Sequence, residues 1–200
     1  MNKKQEKELL LSALYAPYQK CTLCPLGSLG RKKIVFGSGN PDATILLIGE
    51  GPGKEEDEQG LPFVGRSGKL LTKILLSIGI QRQDVYISNI VKCRPPSNRA
   101  PLQNEISICK KLLLEKQIEI IKPQVICTLG SVALNALLEQ KTPLSTMRGL
   151  FTIYQNIPVL PTYHPAYILR NSKKAPLLIE DLQKAFQKIA AESPKDKNKL

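Results

Sequence analysis

Apolar residues come in short blocks along the chain, separated by glycine, proline and polar turns. Residues 43–48 are almost wholly apolar, which suits a central parallel strand covered on both faces. Residues 85–91 and 125–129 read as the second and third parallel strands. Residues 151–154 and 159–161 bracket a turn at Asn156-Ile157-Pro158 and give the last strand or pair of strands. Residues 34–36 read as a short edge strand, and 37–41 as the turn that leads into the central one. Elsewhere the apolar period is helical. Leu9, Leu10, Ala13, Leu14 and Tyr18 share one face of a helix over 2–20, which Pro17 can end early. Further helices are predicted over 67–78, from Asn104-Glu105 to about Ile121, over 132–139 and over 174–190. The alternation predicts a single α/β/α domain over 1–190 with a mainly parallel four-stranded sheet, then a polar tail over 191–200.

The picture changes at the ends of the apolar blocks. The first strand stops at Gly49-Glu50-Gly51-Pro52-Gly53, which cannot continue a strand and lets the backbone approach a ligand. Ligands of parallel α/β folds sit beyond the carboxyl ends of strands, so this loop is either a site floor or an ordinary tight turn. The following Lys54–Gln59 stretch is acidic and reads as solvated. Phe63 lies in an apolar island, Gly60-Leu61-Pro62-Phe63-Val64-Gly65, and is placed either to pack in the core or to stack on a flat ligand. Arg66 and Lys69 open the next helix, where a phosphate can meet both its N-terminus and these cations. Asn89 is polar at the end of an apolar strand. It either bonds its own backbone in a turn or offers a ligand both a donor and an acceptor. His164 is the only histidine and stands within Pro161-Thr162-Tyr163-His164-Pro165-Ala166-Tyr167. Lone histidines often have no catalytic duty; a place at a strand end between tyrosines favours one.

Composition adds a partner class. The 200 residues carry 29 Lys and Arg against 17 Asp and Glu, a net charge of +12, which favours a polyanion. No apolar run reaches 18 residues and the charged N-terminus has no signal-peptide core, so a cytoplasmic protein is expected. The five cysteines fit a reducing compartment and metal ligation better than a disulfide framework. Cys21-Thr22-Leu23-Cys24 can chelate one centre. It follows a helical segment, not a strand, so thioredoxin-like chemistry is disfavoured. Cys127 falls inside a strand and reads as a core thiol.

Taken together, the CxxC at 21 and 24, GEGPG at 49–53, LPFVGRSG at 61–68, NIVKCRPP at 89–96, Cys109 and PTYHPAY at 161–167 resemble the family 4 uracil-DNA glycosylases, the iron–sulfur branch of that superfamily. The likeness runs from Cys21 to the last helix. It departs from the family's usual first motif at Gly51, where alanine is common. The resemblance implies the three-layer α/β/α fold of these enzymes and one [4Fe–4S] cluster on Cys21, Cys24, Cys93 and Cys109. Four thiolates by themselves suit zinc as well as iron–sulfur.

It also implies hydrolysis of the N-glycosidic bond of deoxyuridine in single- or double-stranded DNA, on a base taken out of the stack. Phe63 would then stack on uracil, Asn89 read its pairing edge, and His164 donate to O2 as charge develops there. Gly49 and Gly51 would line the base site. The family 1 enzymes carry an aspartate at the position of Gly51, so the water activator is open: Glu50 either positions water or only braces the loop. Arg66, Lys69, Lys92, Arg94, Arg148 and Arg170 become candidate phosphate contacts, and Tyr167 or Ile168 a wedge for the vacated base position. The expected partner is uracil-containing DNA, met by a monomer associated with the nucleoid and not with a membrane. Three alternatives share the fold. One is a degenerate DNA-binding relative, and one a glycosylase of altered base range. The third is a DNA-crosslinking variant, whose histidine-containing insert this chain lacks.

Overall fold

The protein is described by a computed structural model covering residues 2–192. The predicted tail lies outside the described residues from 193 onward. One sheet organises the chain. Its strands are β1 (Ser38–Gly39), β2 (Ile45–Gly49), β3 (Tyr86–Asn89), β4 (Val125–Leu129), β5 (Thr152–Tyr154) and β6 (Ile157–Thr162). Their order is β1-β3-β2-β4-β6-β5. The middle four, β3, β2, β4 and β6, run parallel, and the two short edge strands are antiparallel. The apolar blocks predict these four and the antiparallel β5; the sheet has six strands where four are expected, mixed with a parallel centre.

The edge strand expected at 34–36 is displaced to Ser38–Gly39, within the segment read as a turn. Ile34, Val35 and Phe36 are buried, but the Val35 N–H donates to the Lys92 carbonyl at 2.8 Å, beyond the end of β3, and follows no ladder. Gly39, at φ +126°, is the residue that fits the ladder. A Cβ there would lie 2.0 Å from the Val85 carbonyl oxygen.

Helices cover both faces. They are α1 (Lys3–Tyr15), α2 (Lys54–Gln59), α3 (Arg66–Ser77), α4 (Gln103–Cys109), α5 (Glu115–Ile121), α6 (Ser131–Leu138), α7 (Leu144–Met147), α8 (Pro165–Arg170) and α9 (Ala175–Glu192). Alternate residues of β2 and β4 feed two separate cores. Leu46, Ile48 and Ile126 pack with α1, α5 and α6. Ile45, Leu47, Val125 and Cys127 pack with α3 and α9. Helix α1 stops at Tyr15, short of the predicted Lys20, and a tight turn at Ala16–Tyr18 carries Pro17. The helix predicted to reach Ile121 is continuous through a π-turn at Lys110–Leu114 between α4 and α5. Among the described residues no helix is long and apolar enough to cross a membrane.

The parallel register sets Gly49 level with Asn89 and Leu129 level with Thr162. The loops after β2, β3, β4 and β6 therefore open at one end of the sheet.

Candidate active site

At that end lies a cleft of about 850 Å³, whose wall includes Glu50, Gly51, Phe63, Asn89, His164 and Arg170. Gly49 lies beneath it. A Cβ at Gly49 would stand 2.4 Å from Asn89 Oδ1 and 2.6 Å from Phe63 Cζ, so only glycine lets these two side chains close over the end of β2. At Gly51, a methyl would stand 2.8 Å from Cγ2 of buried Val91 and 3.8 Å from Pro95 Cδ. An alanine there requires Val91 to shift.

Phe63 is buried with φ +51°, a left-handed backbone that a bulky residue adopts only when its surroundings over-determine it. The constraint is visible. A Cβ on Gly68 would fall 1.8 Å from the Phe63 carbonyl oxygen, and Arg82 donates to the Pro62 carbonyl. The Phe63 ring lies 5.6 Å from that of His164, inclined at 34°.

Asn89 is 1% exposed. Its Oδ1 is one of two buried side-chain polar atoms among the described residues without a hydrogen-bond partner; the other is Thr128 Oγ1. The self-bonded turn asparagine considered above is thus not what forms. A buried acceptor left open costs about 1–3 kcal/mol, and here it sits on the cleft wall.

His164 caps α8. Its Nδ1 accepts from the Ala166 N–H at 3.0 Å, so the proton of the neutral ring sits on Nε2. Burial, aided by the Arg170 charge and opposed by Glu56, pushes its pKa down to about 4. Glu50 has no side-chain hydrogen bond or ion pair among the described residues, and burial raises its carboxyl above the usual range. Its carbonyl is held by the Val91 N–H at 3.2 Å.

The predicted cations separate. Arg66 and Arg170 are exposed on the cleft wall. Lys69 is exposed one turn into α3. Arg94 bonds Asn98 Oδ1 through Nε at 2.8 Å and stands off the wall. Arg148 is engaged internally: its guanidinium meets both oxygens of buried Asp181 at 2.7 and 2.8 Å and lies over the Tyr163 ring.

Two expectations fail on burial. Lys92 is 1% exposed and donates to Ser88 Oγ, the Asn89 carbonyl and Gln117 Oε1 at 2.6, 2.8 and 2.6 Å, so it contacts no phosphate. Burial pulls its pKa to about 7. Ile168 is 2% exposed and belongs to the core. Tyr167 is on the wall, stacked on Tyr163 at 4.9 Å.

The cysteine expectation is also corrected. Cys21, Cys24, Cys93 and Cys109 line one small cavity of about 20 Å³ together with Tyr18 and Ile34. Yet among the described residues no group of three or more His, Cys, Asp or Glu is placed to hold a metal ion. In this arrangement burial pushes the Cys93 and Cys109 thiols up to about 12 and 11 and raises Cys24 as well, so they stand as protonated thiols. The structure therefore does not bear out the [4Fe–4S] cluster, nor with it the iron–sulfur description of the chain. Cys127 is a fully buried core thiol.

Sequence reasoning missed Glu56, read as solvated but buried beneath the cleft, where it accepts three backbone hydrogen bonds. Its one signal is the spacing Gly53-x-x-Glu56, half of a capping box. It also missed Arg99 on the wall, forked onto buried Glu105 at 2.8 and 2.7 Å.

Residues 36–191 match the profile of the uracil DNA glycosylase superfamily. A type-4 uracil-DNA glycosylase of Thermotoga maritima is 45% identical over 190 residues, 93% of this chain and 98% of its own. Type-4 enzymes of Saccharolobus solfataricus and Archaeoglobus fulgidus are 42% and 40% identical, covering 86% and 84% of this chain and 83% and 86% of theirs.

Proposed function

The chain belongs to the type-4 uracil-DNA glycosylases, and on that premise we propose that it hydrolyses the N-glycosidic bond of deoxyuridine in single- or double-stranded DNA, leaving an abasic site for base excision repair. The observation that carries this reading is the open Asn89 Oδ1, buried beside Phe63. A pyrimidine stacked on Phe63 would meet one acceptor and one amide donor. Uracil offers N3–H and O4 in the matching order. Cytosine offers the reverse and leaves two polar groups unpaired, which is how a hydrogen-bonding site discriminates strongly.

His164 supplies the leaving-group chemistry. As the glycosidic bond breaks, negative charge spreads onto uracil O2. An imidazole already neutral at physiological pH, with its proton fixed on Nε2, donates to that oxygen without ion-pair reorganisation. Glu50, unpaired and on the wall, positions the water that captures the sugar cation. Gly49 and Gly51 keep backbone against the base. Arg66, Lys69, Arg94 and Arg170 hold phosphates, and Tyr167 stands where the base has left the stack. Arg148 serves by bracing the Tyr163 side of the cleft. All these groups come from one chain, which supports action as a monomer, and the +12 charge supports residence on cytoplasmic nucleoid DNA.

The test is a single-uracil oligonucleotide, with alkali to reveal abasic sites. Free uracil is expected, with the strand whole until alkali and with matched thymine and cytosine oligonucleotides untouched. Binding without release, across a range of salt and temperature, would make the chain a degenerate DNA-binding relative.

A further inference from the structure

Glu56 stands in the most acidic stretch of the chain and yet is 8% exposed. Its Oε2 accepts from the Gly53 N–H at 3.1 Å. Its Oε1 accepts from Val64 N–H at 2.9 Å and Gly65 N–H at 2.8 Å. Gly53 ends the loop after β2; Val64 and Gly65 directly follow Phe63. One carboxylate thus ties the loop carrying Glu50 to the loop carrying Phe63.

We propose that Glu56 is a positioning residue for base excision: its carboxylate clamps the two loops together and holds the Phe63 ring where the flipped base must stack. The proposal rests on the uracil-excision reading above. Capping α2 accounts for the Gly53 bond alone. The bonds to Val64 and Gly65 lie outside that helix and need another explanation. Phe63 provides it, because its φ of +51° relaxes unless both flanks are fixed. Arg82, donating to the Pro62 carbonyl, holds the N-terminal side; on the C-terminal side Gly68 acts sterically and Glu56 holds the Val64 and Gly65 N–H groups between Phe63 and Gly68. Both flanking glycines suit this. A Cβ at Gly53 would lie 2.7 Å from Glu56 Oε2; one at Gly65 would lie 2.1 Å from Glu55 Oε2 and 3.3 Å from Glu56 Oε1, so side chains there would crowd the acidic groups beside the clamp. An ionised carboxylate only accepts, and bonds to a charged acceptor are stronger than neutral ones. With both oxygens committed to backbone N–H groups, Glu56 acts through Phe63 and not on the base.

The experiment measures single-turnover uracil excision by Glu56→Gln and Glu56→Ala, each in the wild-type and the Phe63→Ala background, with thermal midpoints and binding to uracil-free DNA alongside. In Glu56→Gln the amide turns a donor toward a backbone N–H, while one carbonyl oxygen remains to accept, so this variant keeps the fold if the alanine variant does not. The expected result is a rate lower on the order of 10²-fold, the size of a misplacement of about 1 Å, with uracil-free DNA bound as before. In the Phe63→Ala background most of that loss should vanish, since residues acting as a unit are non-additive. An unchanged rate with only a lower melting temperature, or an equal loss in both backgrounds, would overturn the clamp. A wild-type protein that releases no uracil would sink the functional reading itself, a different failure seen before any variant is made.

Discussion

Asn89 and Lys92 are three residues apart at the end of β3, and each is 1% exposed. One faces the cleft with its Oδ1 open. The other faces the core, and its ammonium meets three oxygens. Burial alone therefore does not distinguish a site residue from a structural one. Polar satisfaction is the sharper guide: buried polar groups are paired in nearly every case, and of the two open side-chain atoms among the described residues, Asn89 Oδ1 and Thr128 Oγ1, only Asn89 belongs to the cleft wall. The same contrast separates Glu50, without a partner on the wall, from Glu56 beneath it, with three.

The largest expected effects test that contrast directly. Asn89→Ala should lower excision on the order of 10²- to 10³-fold, as when one transition-state donor is removed. Its melting temperature should hold, because the side chain makes no hydrogen bond among the described residues. Lys92→Met should do the opposite. It strips a donor from Gln117 Oε1 and the Asn89 carbonyl and should cost about 1–3 kcal/mol of stability, with a smaller loss of rate per folded molecule. Kinetics paired with denaturant unfolding read both. If Asn89→Ala melts early and Lys92→Met is merely slow, unpaired groups are no guide to the site here.

How much of this was legible in the chain follows the same line. The apolar blocks give the four central strands because a strand covered on both faces needs no polar alternation. The glycine loop, Asn89 and His164 stand at or just past block ends and meet at one cleft because parallel strands end together, and Phe63 reaches it from the loop between α2 and α3. What escaped depends on non-local burial. Glu56, Lys92 and Arg148 look like any surface charge until distant backbone or a buried Asp181 folds over them. Ser38–Gly39 is too short to carry a period. The four cysteines do converge, but convergence in sequence motifs says nothing of whether thiols are arranged to hold a metal ion, and among the described residues none are.

A pH profile sharpens the comparison at His164. Its pKa of about 4, against an ordinary 6.5, keeps the ring neutral across the physiological range. Protonation would put a second proton on Nδ1, facing the Ala166 N–H. Excision should therefore fall only as pH drops toward 4. Glu50, raised by burial, contributes to the same limb, and His164→Ala isolates it by removing the histidine part while lowering the plateau. The stability sign agrees. Between 6.5 and 4 the unfolded chain binds the proton more readily, so this histidine's contribution is full above 6.5 and lost as pH falls to 4. The variant should lose that slope. An acid limb centred near 6.5 would mean that the ring is solvated and the cleft open around it.

The smallest effect belongs to Arg170, exposed on the cleft wall with no hydrogen bond or ion pair of its side chain among the described residues. Like Asn89 it is unpartnered, but in water, where an open charge costs little. Arg170→Gln should weaken binding to any DNA sequence alike and reduce the salt dependence by about one phosphate contact. The excision rate at saturating DNA should barely change. A second readout ties the residue to the site. Its positive charge helps to hold the His164 pKa down, after burial. Removing it should move the acid limb slightly upward in pH, and more clearly at low salt than at high. A salt slope unchanged in the variant would remove Arg170 from the phosphate contacts. A limb that stays put would leave burial as the sole cause of the neutral histidine.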